Sequence, residues 1–285
     1  MISKEQFQKE ISLIIENAIR EDVGDGDHSS LACIPRNAKG KAQLLVKDEC
    51  ILAGVEFARQ TFNYVDPDLR MDILFNDGQR VNFGDVAFYV EGRSQSILKA
   101  ERLVLNAMQR MSAIATKTNY FVSLLEGTDT KVLDTRKTTP GIRALEKWAV
   151  TIGGGENHRF ALYDMIMLKD NHIDFAGGIT RAIQKTKLYL KESNRNLKII
   201  VEARNLKEVK EILESQGVYR ILLDNFNYED TRKAVKLIGN QCFTESSGGI
   251  NENTIRNYAE CGVNYISSGA ITHSVYNKDL SLKAI

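Results

Sequence analysis

Residues 198–225 read KIIVEARNLKEVKEILESQGVYRILLDN. An aliphatic run, Lys198-Ile199-Ile200-Val201, stops at Glu202; a helical pattern follows over 206–215; a second run, Arg220-Ile221-Leu222-Leu223, stops at Asp224-Asn225. Strand, helix and strand in that order make a βαβ unit, whose strands lie parallel. The layout extends outward in both directions. Upstream, Lys131-Val132-Leu133-Asp134 runs into Thr135-Arg136-Lys137-Thr138-Thr139, and Met165-Ile166-Met167-Leu168 into Lys169-Asp170-Asn171-His172. Downstream, Cys242-Phe243-Thr244 ends in Glu245-Ser246-Ser247-Gly248-Gly249, and Tyr265-Ile266 in Ser267-Ser268-Gly269. Further helical patterns lie at 178–190, 228–238 and 253–261.

Parallel βα folds collect their reactive groups at the carboxyl ends of the strands, where the loops and helix N-termini lie. Here six strand ends are charged or rich in Ser and Gly, too many to be solvated turns alone. The span is about 140 residues, and a full eight-unit barrel takes about 200 to 250. The expected fold is therefore α/β, an open, incomplete (β/α) barrel of six or seven parallel strands. A doubly wound sheet is the alternative, but no G-x-G-x-x-G follows an early strand and Gly153-Gly154-Gly155 comes after a helix, so a Rossmann dinucleotide site has little support.

Ahead of the barrel, Phe7, Ile11, Ile14, Ile15, Ala18 and Ile19 make one stripe of an amphipathic helix over 4–20. Strands follow around Ala42, Leu44 and Val46, around 69–75 and over 86–92, with a helix near 55–64. Residues 1–112 thus read as a sandwich-like α+β domain and 113–274 as the catalytic barrel, with the tail 275–285 a candidate to pack on the first domain. A long helix over 96–125 joins the two, and its Arg102 and Arg110 read, on the residues alone, as a solvated face. Glu21 to Asp27 is acidic, but its two glycines and irregular spacing favour a structural loop over a cation site.

Composition narrows the classes. With 38 Lys and Arg against 37 Asp and Glu and 43% apolar residues, the chain is globular and lacks the basic surplus of a general nucleic-acid binder. It holds no apolar run near the roughly 18 residues of a membrane span, and Met1-Ile2-Ser3-Lys4-Glu5-Gln6 has no signal-peptide character, so a cytoplasmic protein is expected. Cys33, Cys50, Cys242 and Cys261 show no metal or redox spacing and read as reduced thiols.

The strand ends imply a ligand. The Ser/Gly loops at 246–249 and 267–270 let backbone N–H groups approach a phosphate, each loop reading as the approach to a helix. Arg136, Lys137, Arg159 and Lys169 supply cations at the same edge, with Arg143 and Lys147 on a helix that Pro140 opens after a Thr139 cap. Such cations repel one another unless a polyanion fills the pocket. Glu202 and Asp224 are the counterweights, able to hold Mg²⁺ or ribose hydroxyls, or else to be salt-bridged to Arg136 or Lys169. His158, beside Arg159, reads as a hydrogen-bond donor or shape element more than a base.

Together, Asp134-Thr135-Arg136-Lys137-Thr138-Thr139-Pro140-Gly141, Gly153-Gly154-Gly155-Glu156-Asn157-His158-Arg159, Leu168-Lys169-Asp170-Asn171-His172, Val201-Glu202, Leu223-Asp224-Asn225, Glu245-Ser246-Ser247-Gly248-Gly249-Ile250 and Ser268-Gly269-Ala270 resemble the quinolinate phosphoribosyltransferase family. Glu21-Asp22-Val23-Gly24 and Glu101-Arg102 extend the likeness toward the start. The resemblance implies a cytoplasmic transferase of NAD biosynthesis that joins quinolinate to phosphoribosyl pyrophosphate with Mg²⁺, giving nicotinate mononucleotide, pyrophosphate and CO₂. It implies that Arg102, Arg136, His158, Arg159 and Lys169 bind quinolinate, with Arg102 donated across the interface of a homodimer or higher homo-oligomer. It places Lys137, Glu202 and Asp224 on the phosphoribosyl pyrophosphate and Mg²⁺ side, with Lys137, Lys169, Glu202 and Asp224 as the catalytic set. Ser247, Gly248, Gly249, Ser268 and Gly269 become the 5′-phosphate cradle. No nucleic acid or membrane partner is implied. The alternatives are a related protein associated with molybdenum transport and a nonenzymatic phosphosugar-binding module.

Overall fold

The computed structural model of the chain describes residues 2–285. In chain order its first elements are α1 (Lys4–Val23), α2 (His28–Cys33), β1 (Lys39–Val46), β2 (Cys50–Ile51), α3 (Val55–Val65), β3 (Arg70–Ile73), β4 (Arg80–Val81), β5 (Val86–Arg93) and α4 (Ser94–Ser123). There follow β6 (Lys131–Leu133), α5 (Arg143–Ile152), β7 (Ile166–Leu168), α6 (Asp170–Ala176), α7 (Ile179–Glu192), β8 (Ile199–Ala203), α8 (Leu206–Ser215) and β9 (Arg220–Asp224). The last are α9 (Tyr228–Ile238), β10 (Phe243–Ser247), α10 (Ile255–Ala259), β11 (Tyr265–Ser267), α11 (Ala270–His273) and β12 (Leu280–Ala284). Among the described residues no helix is long and apolar enough to cross a membrane, and all four cysteines are free.

These elements form two compact units, each drawn from separate stretches of chain: 3–119 with 138–154 and 271–285, and 120–137 with 155–270. In the first unit an antiparallel sheet runs β12-β1-β5-β3. Along β1, Ala42, Leu44 and Val46 are buried while their neighbours are not, the alternation of a strand with one face on a core. That core takes Phe62 and Phe88, edge to face at 6.2 Å, and Ile97, Ala100, Val104 and Met108 from α4. Leu280 and Leu282 of β12 belong to it as well, so the end of the chain is a strand of this sheet. Of the acidic stretch, Glu21 and Asp22 lie in the last turn of α1, and Asp27 caps α2 by accepting from the Ser30 N–H at 3.2 Å.

Two local expectations fail in this unit. Helix α5 starts at Arg143, three residues after Pro140, and Gly141 turns the chain at φ +84°. The reason is Glu146: wholly buried, it accepts from Thr139 N at 3.1 Å and Thr139 Oγ1 at 2.8 Å, which ties the preceding loop across the helix start. Arg110 is not on a solvated face either, since it pairs with Glu146 and donates to Thr272 O at 2.6 Å. The glycine run after α5 is explained by packing: a Cβ at Gly153 would lie 2.4 Å from Ala115 O of α4.

In the second unit six parallel strands run β6-β11-β10-β9-β8-β7. From β7 to β11 each strand pairs with its successor in sequence, and β6 then joins β11, which is the cyclic order of a barrel left open between β6 and β7. A lone parallel bridge joins Glu156 to Leu133 beside β6, without forming a strand. The inner strands β8 and β9 are buried almost throughout, their aliphatic runs Ile199-Ile200-Val201 and Ile221-Leu222-Leu223 suiting strands covered on both faces. Asn205 and Asn227 cap α8 and α9, each accepting from backbone N–H groups of the first turn, so both helices start immediately beyond the strand ends.

Candidate active site

Pairing fixes which side chains share a face of the barrel sheet. Phe243 lies opposite Arg220, Glu245 opposite Leu222, and Ser247 opposite Asp224, while Glu202 lies opposite Leu222. Side chains alternate along a strand, so Glu202, Asp224 and Ser247 share the face that carries Leu222 and Glu245, toward the carboxyl edge. Glu202 is buried and Asp224 half-buried. Burial pushes the Glu202 carboxyl above its usual value, the charge of Asp224 pushes it further, and Lys169 opposes both. Among the described residues neither carboxylate is in an ion pair, which goes against the salt-bridge reading; Asp224 accepts from the Asn225 side-chain amide at 2.8 Å. Two close carboxylates without a cation partner make a donor set for a hard metal ion.

Cations lie beyond the ends of β6 and β7. Arg136 and Lys137 are exposed just beyond β6, and Lys169 is exposed at the N-cap of α6. Arg159 is only 6% exposed. Burial pushes its guanidinium below the usual value, the nearby positive charge of Arg136 adds to this, and Asp164 opposes it. The guanidinium donates to Met165 O at 3.3 Å and, among the described residues, forms no ion pair. A buried arginine beside a second arginine gains from an arriving anion, because their like charges repel each other.

The small-residue loops follow the carboxyl ends of β10 and β11. Gly248 has φ +98°, and a Cβ there would lie 2.2 Å from Asn225 Oδ1 and 3.0 Å from Asn225 N, so only glycine fits. Gly249, at φ +60°, faces open space. The Ser268 hydroxyl is engaged within the cradle, donating to Ile250 O at 2.9 Å and accepting from Ala270 N at 3.3 Å. The helix-dipole part of the expectation is weaker than foreseen. After Gly249 the next helix begins only at Ile255 and has five residues, and the one after Gly269 has four, so backbone N–H groups of the loops, not macrodipoles, would carry the anion.

His158 is buried at the centre of this edge. Its backbone N–H donates to Asp134 at 2.8 Å, and its Nδ1 accepts from the Arg159 backbone N–H at 2.7 Å. Its Nε2 lies 3.4 Å from Glu245. His172 accepts from Lys169 N at 3.1 Å and shapes the start of α6, while His273 is exposed against Ser274. Arg102 is exposed on α4, in the other compact unit, beside a half-buried Glu101 whose carboxyl is raised by burial and lowered by Arg102. Sequence reasoning missed the buried ion pair of Glu245 with Arg220, at 2.7 Å. The usable signal was parity: Arg220 and Glu245 sit two residues below Leu222 and Ser247 on the shared face, so their charges point into the barrel, not at its rim.

An open parallel barrel with one buried and three exposed cations, two carboxylates and a glycine turn at its carboxyl edge has the form of an α/β enzyme for anionic substrates. Residues 27–112 match the N-terminal domain of quinolinate phosphoribosyl transferase and residues 114–283 its C-terminal domain. The chain is 42% identical to quinolinate phosphoribosyltransferase [decarboxylating] 1b of Nicotiana tabacum, over 95% of this chain and 81% of that protein. It superposes on NadC from Streptococcus pyogenes with a TM-score of 0.90 at 36% identity, covering 100% and 99% of the two chains. On the nicotinate-nucleotide pyrophosphorylase of Francisella tularensis the TM-score is 0.88 at 37% identity, covering 97% and 96%. The chain belongs to the quinolinate phosphoribosyltransferase family.

Proposed function

We propose that the protein is a decarboxylating quinolinate phosphoribosyltransferase, converting quinolinate and phosphoribosyl pyrophosphate to nicotinate mononucleotide, pyrophosphate and CO₂. The family match over both domains supports this reading and does not favour the molybdenum-transport or nonenzymatic alternatives. The observation that carries it is Arg159, buried without an ion pair and beside Arg136, at the edge that also holds the carboxylate pair and the glycine cradle. That is a site waiting for a dicarboxylate and a phosphate together.

Arg136, Arg159 and Lys169 neutralise the two quinolinate carboxylates and hold the pyridine nitrogen toward the anomeric carbon. Asn225 packs so closely on Gly248 that only glycine can make the turn, and the loop N–H groups grip the 5′-phosphate. Lys137 compensates the pyrophosphate as the C1′–O bond breaks, while Glu202 and Asp224 face the positive charge that develops on the ribose. The nitrogen lone pair closes on C1′, and the ring becomes a pyridinium. The bond from C2 to its carboxylate then breaks, the electron pair staying on C2 beside the positive nitrogen, CO₂ departs, and C2 takes a proton from solvent. Arg159, dry and cationic, binds the two-carboxylate ground state while the neighbouring positive nitrogen draws the electrons.

Mg²⁺ fits Glu202 and Asp224 by donor type. Among the described residues no third carboxylate, histidine or cysteine joins them, which suits an ion that keeps waters and substrate phosphates as its other ligands. When bound it supplies positive charge against the pyrophosphate oxygens. A second copy of the chain would contribute Arg102. Incubating the purified protein with both substrates and Mg²⁺ tests the reading: nicotinate mononucleotide and CO₂ in equal amounts are expected, and their absence beside an active control enzyme overturns it.

A further inference from the structure

Beneath the cationic edge lies a buried charge chain that the reaction above does not use. Glu245, at the middle of β10, is fully buried. Its carboxylate accepts from Arg220 Nη1 at 2.7 Å and stands 3.4 Å from His158 Nε2. The Arg220 guanidinium lies 4.0 Å over the Tyr265 ring and 5.5 Å from Tyr219, which fixes it from below. Burial acts to raise the Glu245 carboxyl, yet the His158 ring proton, the charge of the Arg220 guanidinium and a hydrogen bond from Ser267 hold it below the usual carboxylate range. Removing two charges from water into a barrel core is costly, and for stability alone an apolar pair of the same volume serves as well or better. The pair therefore calls for another account.

His158 supplies it. Its Nδ1 accepts a hydrogen bond from the Arg159 backbone N–H, so that nitrogen carries no proton and the ring proton is on Nε2, facing Glu245. The carboxylate it faces is already neutralised by Arg220, so it orients the ring without drawing on a second proton. That matters beside Arg159 and Arg136, where an imidazolium would add a third positive charge. Asp134 holds the other end of the segment by accepting from His158 N at 2.8 Å. The chain of contacts runs from Tyr265 through Arg220, Glu245 and His158 to the backbone of Arg159.

We propose that Glu245 is a positioning residue: with Arg220 it locks His158 in the neutral Nε2–H tautomer, and through Nδ1 of that ring it fixes the backbone, and hence the guanidinium, of the arginine that receives a substrate carboxylate. This rests on the function proposed above, but its first test does not. Long-range ¹H–¹⁵N correlation spectra of the protein, with His158 assigned from its loss in His158→Gln, report the tautomer directly. A ring proton on Nε2 with Nδ1 bare is expected; a proton on Nδ1 overturns the proposal whether or not the enzyme turns over.

The second test uses Glu245→Gln and the apolar double variant Arg220→Met/Glu245→Met, which folds without a buried charge if the single variant does not. The expected result is a mixed or reversed His158 tautomer, with KM for quinolinate raised about tenfold or more and KM for phosphoribosyl pyrophosphate changed by less than about twofold. A purely structural pair would leave the two KM values moving together, and unchanged values for both substrates would equally overturn the proposal. Calorimetric titration with quinolinate reads the same loss of affinity without turnover. Should the wild-type chain bind and convert nothing while showing the expected tautomer, the function fails and the positioning geometry stands.

Discussion

Arg110 on α4 and Glu146 on α5 form a buried ion pair, with Nη2 2.9 Å from Oε1 and Glu146 wholly out of water. The same carboxylate accepts from Thr139, so one charge ties together two helices and the loop that precedes the second. Replacing Arg110 by Met leaves that charge uncompensated, and we expect a loss of about 3–5 kcal/mol in urea unfolding. A loss below about 1 kcal/mol would mean that the carboxylate finds another partner.

Gly248 and Gly249 should respond differently to the same methyl group. At Gly248 a Cβ meets Asn225 at 2.2 Å on top of an unfavourable φ, whereas at Gly249 only the backbone strain applies. Gly249→Ala should cost about 1 kcal/mol of stability. Gly248→Ala should cost clearly more and raise KM for phosphoribosyl pyrophosphate, read from unfolding curves and initial rates. Equal effects would count against the tight turn.

Asp66 sets an acid limit for the first unit. It accepts from Arg93 Nε and Nη2, both at 2.6 Å, and is 1% exposed. The Arg93 hydrogen bonds, against the opposing effect of burial, hold its carboxyl far below the ordinary value of about 4. A carboxyl lowered by folding contributes stability that is complete above its unfolded pKa and is lost as pH falls from there toward the folded value. The melting temperatures of the wild type and Asp66→Asn should therefore differ at pH 7 and converge as the pH drops below about 4. A gap that does not narrow would assign the effect to packing. Half-exposed Arg93 makes the gap salt-sensitive.

Arg136→Ala removes an exposed cation that faces buried Arg159. If it pairs with a substrate carboxylate, quinolinate affinity should fall by about 2–5 kcal/mol. A change within experimental error would take Arg136 out of the site.

The proposed donation of Arg102 by a second copy has a complementation test. Arg102→Ala and Lys169→Ala should each be inactive, yet after unfolding and refolding together they should recover about a quarter of wild-type activity, through mixed dimers with one intact site. No recovery would place both residues in a site built from a single chain.

Much of this arrangement was legible in the residues. The alternation of aliphatic runs with helical patterns is local, so the six strands and their order could be read from it, as could the polar clusters at their ends. What remained hidden depends on side chains that reach across elements. Nothing near Pro140 signals that Glu146 will reach back to Thr139 and delay the helix, and nothing in α4 distinguishes Arg110 from Arg102 until α5 is laid against it. Gly153-Gly154-Gly155 has the look of a ligand loop, yet its first glycine serves the contact with Ala115. The pairing of Arg220 with Glu245 needs the register of β9 against β10, which no single strand contains.

The strand β12, paired with β1 from Ala42–Ala284 to Val46–Leu280, is synthesised after all six strands of the barrel. On the ribosome β1 must therefore wait with one side unpaired, offering its N–H and C=O groups to any passing chain. Lysines at positions 39 and 41 on that strand are of the kind that discourages such encounters. Vectorial synthesis thus leaves the first-made sheet as the last to be completed, and a stalled or shortened nascent chain would expose a sticky margin that the finished molecule never shows.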